Sequence, residues 1–459
     1  MTHITLLLSR DTDLVFPLAA RLERDIPNEI RWCSDLDAVR AAREQYPLAT
    51  MFVDCRLSGR IENLGILLQE LEADPQGGVD LIAISDQYYP LETAAYLDLQ
   101  AVRHLEYPFQ EEELIEVIGF VAAGGRLNGK RRMPVAKKIE AGTLQLATYT
   151  PAMFGMIDEL MRVAHRDVTL LIIGETGTGK TTLAQIVHQL SGRGEEPFQN
   201  VPCGALPREL IESELFGHVR GAFTGAERNK VGRFEAAGRG TLLLDEIDVL
   251  SPKDQAKLLR VIETSEYEPV GSTETRISQA RLVVAANVDL KVLTETAKFR
   301  SDLYYRLNVL QFHLLPLRER VPDIVSLAMR FVHECCEQHR VTIQRVHREF
   351  LQALKDYHWP GNLRELRNHI QRATLFSVDG ELRRSDLADV VLAGSKESSA
   401  GEERGTSMQG SLADRVARNE REILRDALQM HQYSRTATAK ALGISRVGLY
   451  KKMRKYDML

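Results

Sequence analysis

No run of apolar residues in this chain approaches the ~18 needed to cross a bilayer as a helix, so the sequence does not describe a helical membrane protein. Its five cysteines, Cys33, Cys55, Cys203, Cys335 and Cys336, form no C-x-x-C pair and no His/Cys cluster at zinc spacing. They read as scattered buried thiols, with the vicinal pair as two positions on one helix. The opening M-T-H-I-T-L-L-L-S-R is too short and lacks the basic lead of a signal peptide; it predicts a buried first strand. There are no internal repeats, and there is no overall positive charge. The formal net charge of −5 excludes a protein that coats nucleic acid along its whole length. These absences point to a cytoplasmic globular protein with no membrane partner.

What is present comes in blocks. With 459 residues, 44% hydrophobic and 27% charged, the chain has room for about three domains at ~150 residues each. Residues 1–124 alternate short apolar runs (Ile4 to Leu8, Thr50 to Val53, Leu81 to Ile84) with amphipathic stretches (Leu14 to Arg24, Leu64 to Leu71). That rhythm predicts a parallel sheet flanked by helices. A stretch rich in glycine and basic residues at 125–142 reads as a linker. A second α/β region spans 143–393, with strand candidates at Thr169 to Ile173, Thr241 to Leu244 and Leu282 to Ala285. The polar run 394–411 reads as a flexible tether, and 412–459 has helical periodicity throughout. Leu412 to Leu459 holds 11 Lys/Arg against 5 Asp/Glu, a local +6 on a body that carries −11. A basic end on an acidic body predicts one local nucleic-acid contact.

The second block carries a phosphate-binding pattern. Gly174-Glu175-Thr176-Gly177-Thr178-Gly179-Lys180-Thr181, followed by Thr182, fits G-x-x-x-x-G-K-[ST] directly after the apolar strand V-T-L-L-I-I. The glycines let backbone N–H groups face phosphates, and the following helix presents its positive N-terminus. Lys180 is placed to reach the β/γ-phosphates, and Thr181 to offer its hydroxyl to Mg²⁺. Asp245 and Glu246 end the apolar run Thr241 to Leu244. Asp245 suits the Mg²⁺ shell, and Glu246 suits the orientation or activation of an attacking water. ATP and Mg²⁺ are therefore the expected ligands.

Between the loop and the acidic strand stands Gly221-Ala222-Phe223-Thr224-Gly225-Ala226. E-S-E-L-F-G-H, this G-A-F-T-G-A, L-L-R-V-I-E, L-P-L-R-E-R and W-P-G-N-L-R-E-L follow one another in that order. The region Thr143 to Ala393, and again the C-terminal block, resembles the bacterial enhancer-binding proteins, AAA+ ATPases that activate RNA polymerase carrying sigma-54. The resemblance implies that the GAFTGA loop touches the sigma factor. It implies that Arg300 and Arg306 reach the γ-phosphate held by a neighbouring subunit, so that hydrolysis requires a ring, a hexamer assembled from dimers. It also implies that Asn287 is a first sensor and that Arg364, in the helical lid, contacts the γ-phosphate of its own subunit. Three positions depart from the family pattern. Pro202 stands where an Asn is usual, Ala286 where a Thr is usual, and Thr181 where a Glu is usual. The missing Asn is the residue thought to hold the catalytic Glu back, so gating of hydrolysis is in question.

Residues 1–124 resemble the response-regulator receiver. Asp54 stands at the phosphoacceptor position and Ser85 at the hydroxyl position after another strand. The acidic pair after the first strand is replaced by Ser9-Arg10, and the Lys before Pro-Phe by Tyr107. Phosphoryl transfer to a carboxylate needs acids that hold Mg²⁺, and only Asp11 remains nearby. A receiver that is not phosphorylated is the expectation, with Arg10 in an ion pair with Asp54. The input stays open between a small molecule, a partner protein and plain dimerisation. Some relatives with degenerate receivers bind cyclic di-GMP, and Arg126, Arg131 and Arg132 are candidate contacts for it, though no motif decides.

Ser434 to Leu442, Gly443-Ile444, then Ser445 to Tyr456 reads as a helix-turn-helix with Gly443 at the turn, similar to the Fis-type domain that ends this family. Ala439, Leu442, Ile444, Leu449 and Met453 form the core-facing set. Ser445, Arg446 and Val447 fall toward base edges and Lys451 and Lys452 toward phosphates, with Tyr450 a further candidate DNA contact. The expected fold is therefore α/β: a flavodoxin-type receiver-like domain, an AAA+ P-loop α/β domain with a helical lid, and an all-α helix-turn-helix. The expected function is an ATP-dependent transcriptional activator that binds upstream DNA and remodels sigma-54 RNA polymerase. The alternative is a DNA-binding regulator in which nucleotide sets oligomeric state with little hydrolysis.

Overall fold

Ile4–Leu8, an unbroken apolar run, is strand β1, and every residue of it is buried because helices cover both faces of its sheet. The computed structural model describes residues 4–46, 48–56, 64–73, 79–122, 136–389, 391 and 453. The chain divides into two compact units, 1–398 and 399–459.

In the first unit, β1 is followed by α1 (Thr12–Asp25), β2 (Glu29–Cys33), α2 (Leu36–Gln45), β3 (Leu48–Asp54), α3 (Leu64–Ala73), β4 (Asp80–Ser85), β5 (Tyr88–Pro90), α4 (Leu91–Gln100), β6 (Ala101–Glu106) and α5 (Glu111–Ala122). Helices α1 and α2 start on the side chains of Asp11 and Asp35, which accept from backbone N–H groups of the first turn. The sheet is all parallel in the order β2-β1-β3-β4-β6. This is the flavodoxin-like order expected of a receiver, and β5 lies outside it.

Residues expected to be linker then form β7 (Lys137–Ala141), which turns through Gly142 (φ +60°) into β8 (Leu144–Thr148) as an antiparallel hairpin. The high charge at 125–142 suggests an open tether. Yet Ile139 and Ala141 alternate inward while Lys138 and Glu140 face out, and charges confined to one face are compatible with a half-buried strand. Lys137–Ala141 therefore belongs to the folded unit, not to a linker; residues 125–135 lie outside the described residues.

The second α/β block comprises α6 (Pro151–Val163), β9 (Leu170–Ile173), α7 (Lys180–Leu190), β10 (Phe198–Pro202), α8 (Arg208–Phe216), α9 (Arg233–Ala237), β11 (Thr241–Asp245), α10 (Pro252–Thr264), the short ribbon β12 (Glu266–Tyr267) and β13 (Arg276–Ile277), β14 (Arg281–Ala286), α11 (Leu290–Glu295), α12 (Ser301–Leu307) and β15 (Gln311–His313). Its central sheet is parallel in the order β10-β11-β14-β9-β15. That order sets the loop after β9 beside the end of β14 and one strand from the acidic end of β11.

The helical lid is α13 (Val321–His339), α14 (Arg348–Asp356) and α15 (Asn362–Phe376), with β16 (Arg345–His347) and β17 (Glu381–Leu382) between and after them. In the second unit only Met453 is described. It is helical and buried, as its place in the core-facing set requires. No helix among the described residues is long and apolar enough to cross a membrane. All five cysteines are unpaired, and four of them are buried.

Candidate active site

The loop after β9 bends because two of its glycines adopt left-handed backbone, Gly177 at φ +80° and Gly179 at φ +105°, a region side chains disfavour. Gly177 also lies against the lid: a Cβ there would sit 2.3 Å from the Gly361 carbonyl oxygen. The loop delivers Lys180 to the first position of α7 with 6% exposure. Its Nζ donates to the carbonyls of Gly174 (2.7 Å) and Glu175 (3.1 Å) and to Asn287 Oδ1 (2.7 Å). Burial lowers the Lys180 pKa, and the carboxylates of Asp245, Glu246 and Asp248 work against that shift.

Thr181 Oγ1 donates to Asp245 Oδ2 at 3.1 Å, which joins the loop to the end of β11. Glu246 follows at φ +58°, a conformation uncommon outside glycine. Its carboxylate lies over Gly204, where an added Cβ would fall 1.7 Å from Oε2. Pro202 sits opposite Asp245 in the β10–β11 register, so the strand end nearest Glu246 lacks a side-chain donor at the position where the family pattern has Asn. Asp248 accepts from the backbone N of Asn287 (3.2 Å) and holds that residue at the end of β14. Asp248 belongs to no motif of its own, and its place two residues beyond the D-E pair is the one mark it carries in the sequence.

Thr176, Gly177, Gly179, Lys180, Thr181, Thr182, Asp245, Glu246, Asn287 and Arg364 line one cleft of about 490 Å³. Arg330, Phe331 and Arg367 of the lid and Leu144 of the hairpin close its other side. Arg364 does not pair with Glu365, whose carboxylate instead accepts from Gly361 N and Tyr357 Oη.

Three residues of the phosphate-loop set face elsewhere. Glu175 points to the lid, where Arg318 grips both its oxygens (2.6 and 2.9 Å) and Asn362 adds a third contact; its bond to Arg318 holds its carboxyl below the usual range. Gly174 packs on Leu314, and Thr178 is buried with its hydroxyl on the Glu175 carbonyl. These shape the loop without lining the cleft. Arg300 and Arg306 also lie outside it, paired with Asp302 and Glu263 on an exposed face.

The GAFTGA segment is a loop tip between two pinned ends. His218 bridges both Lys230 and Val270, and Gly221 N donates to the Ala226 carbonyl across the tip (2.8 Å). Gly221 and Gly225 have φ of +83° and +98°. Phe223 is 39% exposed, with its ring edge-on to His218.

In the first block, Asp54 is completely buried at the end of β3 and Ser85 at the end of β4. The described partners of Asp54 are Ser9 and Arg56, not Arg10. Arg56 donates from Nε to Oδ1 (3.0 Å) and from Nη2 to Oδ2 (2.9 Å), and Nη2 also reaches Asp11 (2.9 Å). Its guanidinium lies 4.0 Å over the Tyr107 ring. Ser9 Oγ donates to Asp54 Oδ2 (2.7 Å). Burial disfavours the Arg56 charge, but the bonds to Asp54 and Asp11 outweigh it and raise its pKa. Arg10 sends its Nε to the Ser34 carbonyl. Arg56 wins because its backbone N already donates to Asp54 Oδ1, which sets its side chain over the carboxylate. A divalent cation does not fit this donor set: both nearby carboxylates are held by a guanidinium.

Ser445, Arg446, Val447, Tyr450, Lys451 and Lys452 lie outside the described residues, as do Arg126, Arg131 and Arg132. The cyclic di-GMP alternative gains no support.

A P-loop strand, an acidic strand two places away and a helical lid over the loop define an AAA+ nucleoside-triphosphatase fold, here joined to a receiver fold. The Sigma-54 interaction domain matches residues 146–313, the AAA+ ATPase lid domain 318–404, and the bacterial regulatory protein, Fis family, 416–456. The C4-dicarboxylate transport transcriptional regulatory protein DctD of Rhizobium meliloti is 36% identical over 412 residues, 88% of this chain and 84% of that protein. The regulatory protein AtoC of Escherichia coli is 38% identical over 68% of each chain. The chain belongs to the sigma-54-dependent transcriptional regulators. The Nif-specific regulatory protein of Azospirillum lipoferum is 45% identical, but the match spans only 41% of that longer protein and 56% of this one. NtrX from Brucella abortus, crystallised with ATP, superposes with a TM-score of 0.52 at 26% identity over 99% of both chains.

Proposed function

We propose that the chain is an ATP-hydrolysing activator of sigma-54 RNA polymerase, bound to upstream double-stranded DNA through its C-terminal helix-turn-helix and working as a ring of its own copies. One constellation carries the reading. Lys180, Thr181, Asp245, Glu246 and Asn287, from the start of α7 and the ends of β11 and β14, converge on a single cleft.

Lys180 exchanges two backbone carbonyls for phosphate oxygens, its third partner Asn287 remaining as the sensor. Thr181 and Asp245 are the residues that would hold Mg²⁺, which when bound neutralises charge on the transferring phosphoryl group. Glu246 orients the attacking water. With Pro202 beside it, no side-chain donor from that position holds it back. Arg364 meets the nucleotide from the lid of the same chain. Arg300 and Arg306 are turned away from the cleft of their own chain and exposed at a surface suited to a neighbour. Phe223 and Thr224 present the loop tip to the sigma factor, and Arg446 reads base edges while Lys451 and Lys452 meet phosphates. The receiver fold is not a phosphorylation module, because Arg56 occupies the position a metal would need. The low-hydrolysis alternative is not favoured, since the hydrolytic set is assembled.

A mixing experiment tests the ring. Lys180→Ala, which cannot bind nucleotide, and Arg306→Ala, which binds but lacks the finger, are each inactive as ATPases. Mixed, they regain part of the activity, because the Lys180→Ala chain lends its arginines to the neighbour. No recovery on mixing, or full activity of Arg306→Ala alone, overturns the trans assignment.

A further inference from the structure

Strand β5 does not pair with the sheet of its own block. It adds antiparallel to the lid strand β16, with Tyr88, Tyr89 and Pro90 opposite His347, Val346 and Arg345. The pairing continues at both ends through Leu91 N to Gln344 O and Arg348 N to Gln87 O, each 3.0 Å. Because β16 pairs in turn with β17, one three-stranded sheet is built from two blocks far apart in sequence.

Side chains follow the backbone. The Tyr88 and His347 rings meet edge-on at 4.9 Å, and Lys355 Nζ contacts Asp98 at 2.8 Å. Helix α4 packs on α13. Beneath these contacts one hydrophobic core runs without a break from β1 and β3 through Tyr89, Leu91 and Leu97 into Val346, Phe350 and Leu354 of the lid. This is not the polar, separable interface of loosely joined domains. Parting the blocks would expose that core and leave β5 and β16 with unpaired backbone groups, which are costly where buried and sticky where exposed.

The lid so held is the element that touches the phosphate loop. Leu363 N donates to the Gly177 carbonyl (3.0 Å), and Asn362 Nδ2 to the Thr176 carbonyl (3.1 Å). We propose that the receiver fold is a permanent cis component of the ATPase lid, a clamp that stays docked through nucleotide turnover and fixes α15, and with it Arg364, over the phosphate loop. The clamp itself is independent of the reading of the cleft as an ATPase; only its effect on turnover rests on that reading.

The test is a disulfide across the joint in the full chain. Tyr88 and His347 occupy a non-hydrogen-bonded antiparallel position, where Cα atoms lie ~4.5 Å apart and a disulfide is geometrically feasible. The Tyr88→Cys/His347→Cys variant is oxidised, with each single variant as control, and examined on non-reducing gels, by labelled-ATP binding and by ATPase rate. The expected result is an intramolecular disulfide in nearly all chains, unchanged nucleotide binding, and an ATPase rate within about two-fold of the reduced form. Failure to cross-link in a folded variant, or cross-links only between chains, overturns the cis joint. A cross-linked form whose rate falls more than about ten-fold and recovers on reduction overturns the permanent clamp, because the docked state would then be an inhibited one. If neither reduced nor oxidised protein hydrolyses ATP yet the intramolecular disulfide forms, the joint stands and the ATPase reading fails.

Discussion

Replacing Arg56 by Met is the sharpest test of the first block. The substitution keeps an unbranched apolar stem and removes the guanidinium that bonds both oxygens of Asp54, a residue with no exposure, and reaches Asp11. Breaking a buried ion pair by removing one partner costs ~3–5 kcal/mol, because the other charge is left buried and uncompensated. Loss of the stacking on Tyr107 adds ~0.5–2 kcal/mol, part of which the Met side chain restores by packing. At ~1–3 kcal/mol per M of urea, a loss of ~3–5 kcal/mol lowers the midpoint of the transition that unfolds the first block with the lid by ~1–5 M. Trp32, whose indole donates to the Ser9 carbonyl beside the pair (2.8 Å), reports the transition by fluorescence. Asp54→Asn removes the opposite charge, so the double variant is less destabilised than the two losses added together. Millimolar Mg²⁺ leaves the parent midpoint where it is and raises that of Arg56→Met, since a cation can then enter between Asp54 and Asp11 and bind only the folded state. An Arg56→Met variant as stable as the parent refutes the reasoning, as does a Mg²⁺-dependent phosphoryl adduct on Asp54 detected in the parent by intact mass.

Further outcomes follow from the same geometry. Gly204→Ala places a methyl where the Glu246 carboxylate now lies; the carboxylate, at the far end of its side chain, must shift, so folding and nucleotide affinity hold while kcat drops ~10-fold or more, and an unchanged kcat would show that Glu246 works from another position. Thr224→Ala leaves ATPase intact and abolishes open-complex formation at a sigma-54 promoter, and a full transcriptional signal from it would count against the loop assignment. His104 shares a hydrogen bond with Tyr89, and burial, then the charges of Arg348 and Lys355 on the lid, depress its pKa from 6.5 to about 4. A depressed histidine contributes stability that is present above pH ~6.5 and lost as pH falls toward 4, on the order of 2 kcal/mol once solvent screening is allowed for. His104→Gln flattens the acid limb of the stability profile, and an unaltered limb would exclude His104 as its cause.

The parts of this protein legible from sequence are those whose chemistry needs consecutive residues. A phosphate loop must supply adjacent backbone N–H groups and glycines at set intervals, so Gly174 to Thr181 reads directly. A strand buried on both faces must be an apolar run, so Ile4 to Leu8 and Thr241 to Leu244 stand where expected. The GAFTGA tip is likewise one short word. Tertiary structure decided whatever depended on a choice among equivalent partners. Arg10 and Arg56 carry the same charge near Asp54, and only the path of the backbone after β3 selects Arg56. Glu175 belongs to the phosphate-loop pattern, yet its carboxylate serves the lid through Arg318. Lys137–Ala141 has a linker's composition, yet it becomes a strand because its two apolar residues find a covered face. Tyr88–Pro90, too short to signal a strand alone, is one because Arg345–His347 offers it an edge. Strand pairing between such distant segments leaves no periodic trace in either, since each backbone amide is the same donor wherever it lies and only the packing of α4 on the lid brings the two edges together.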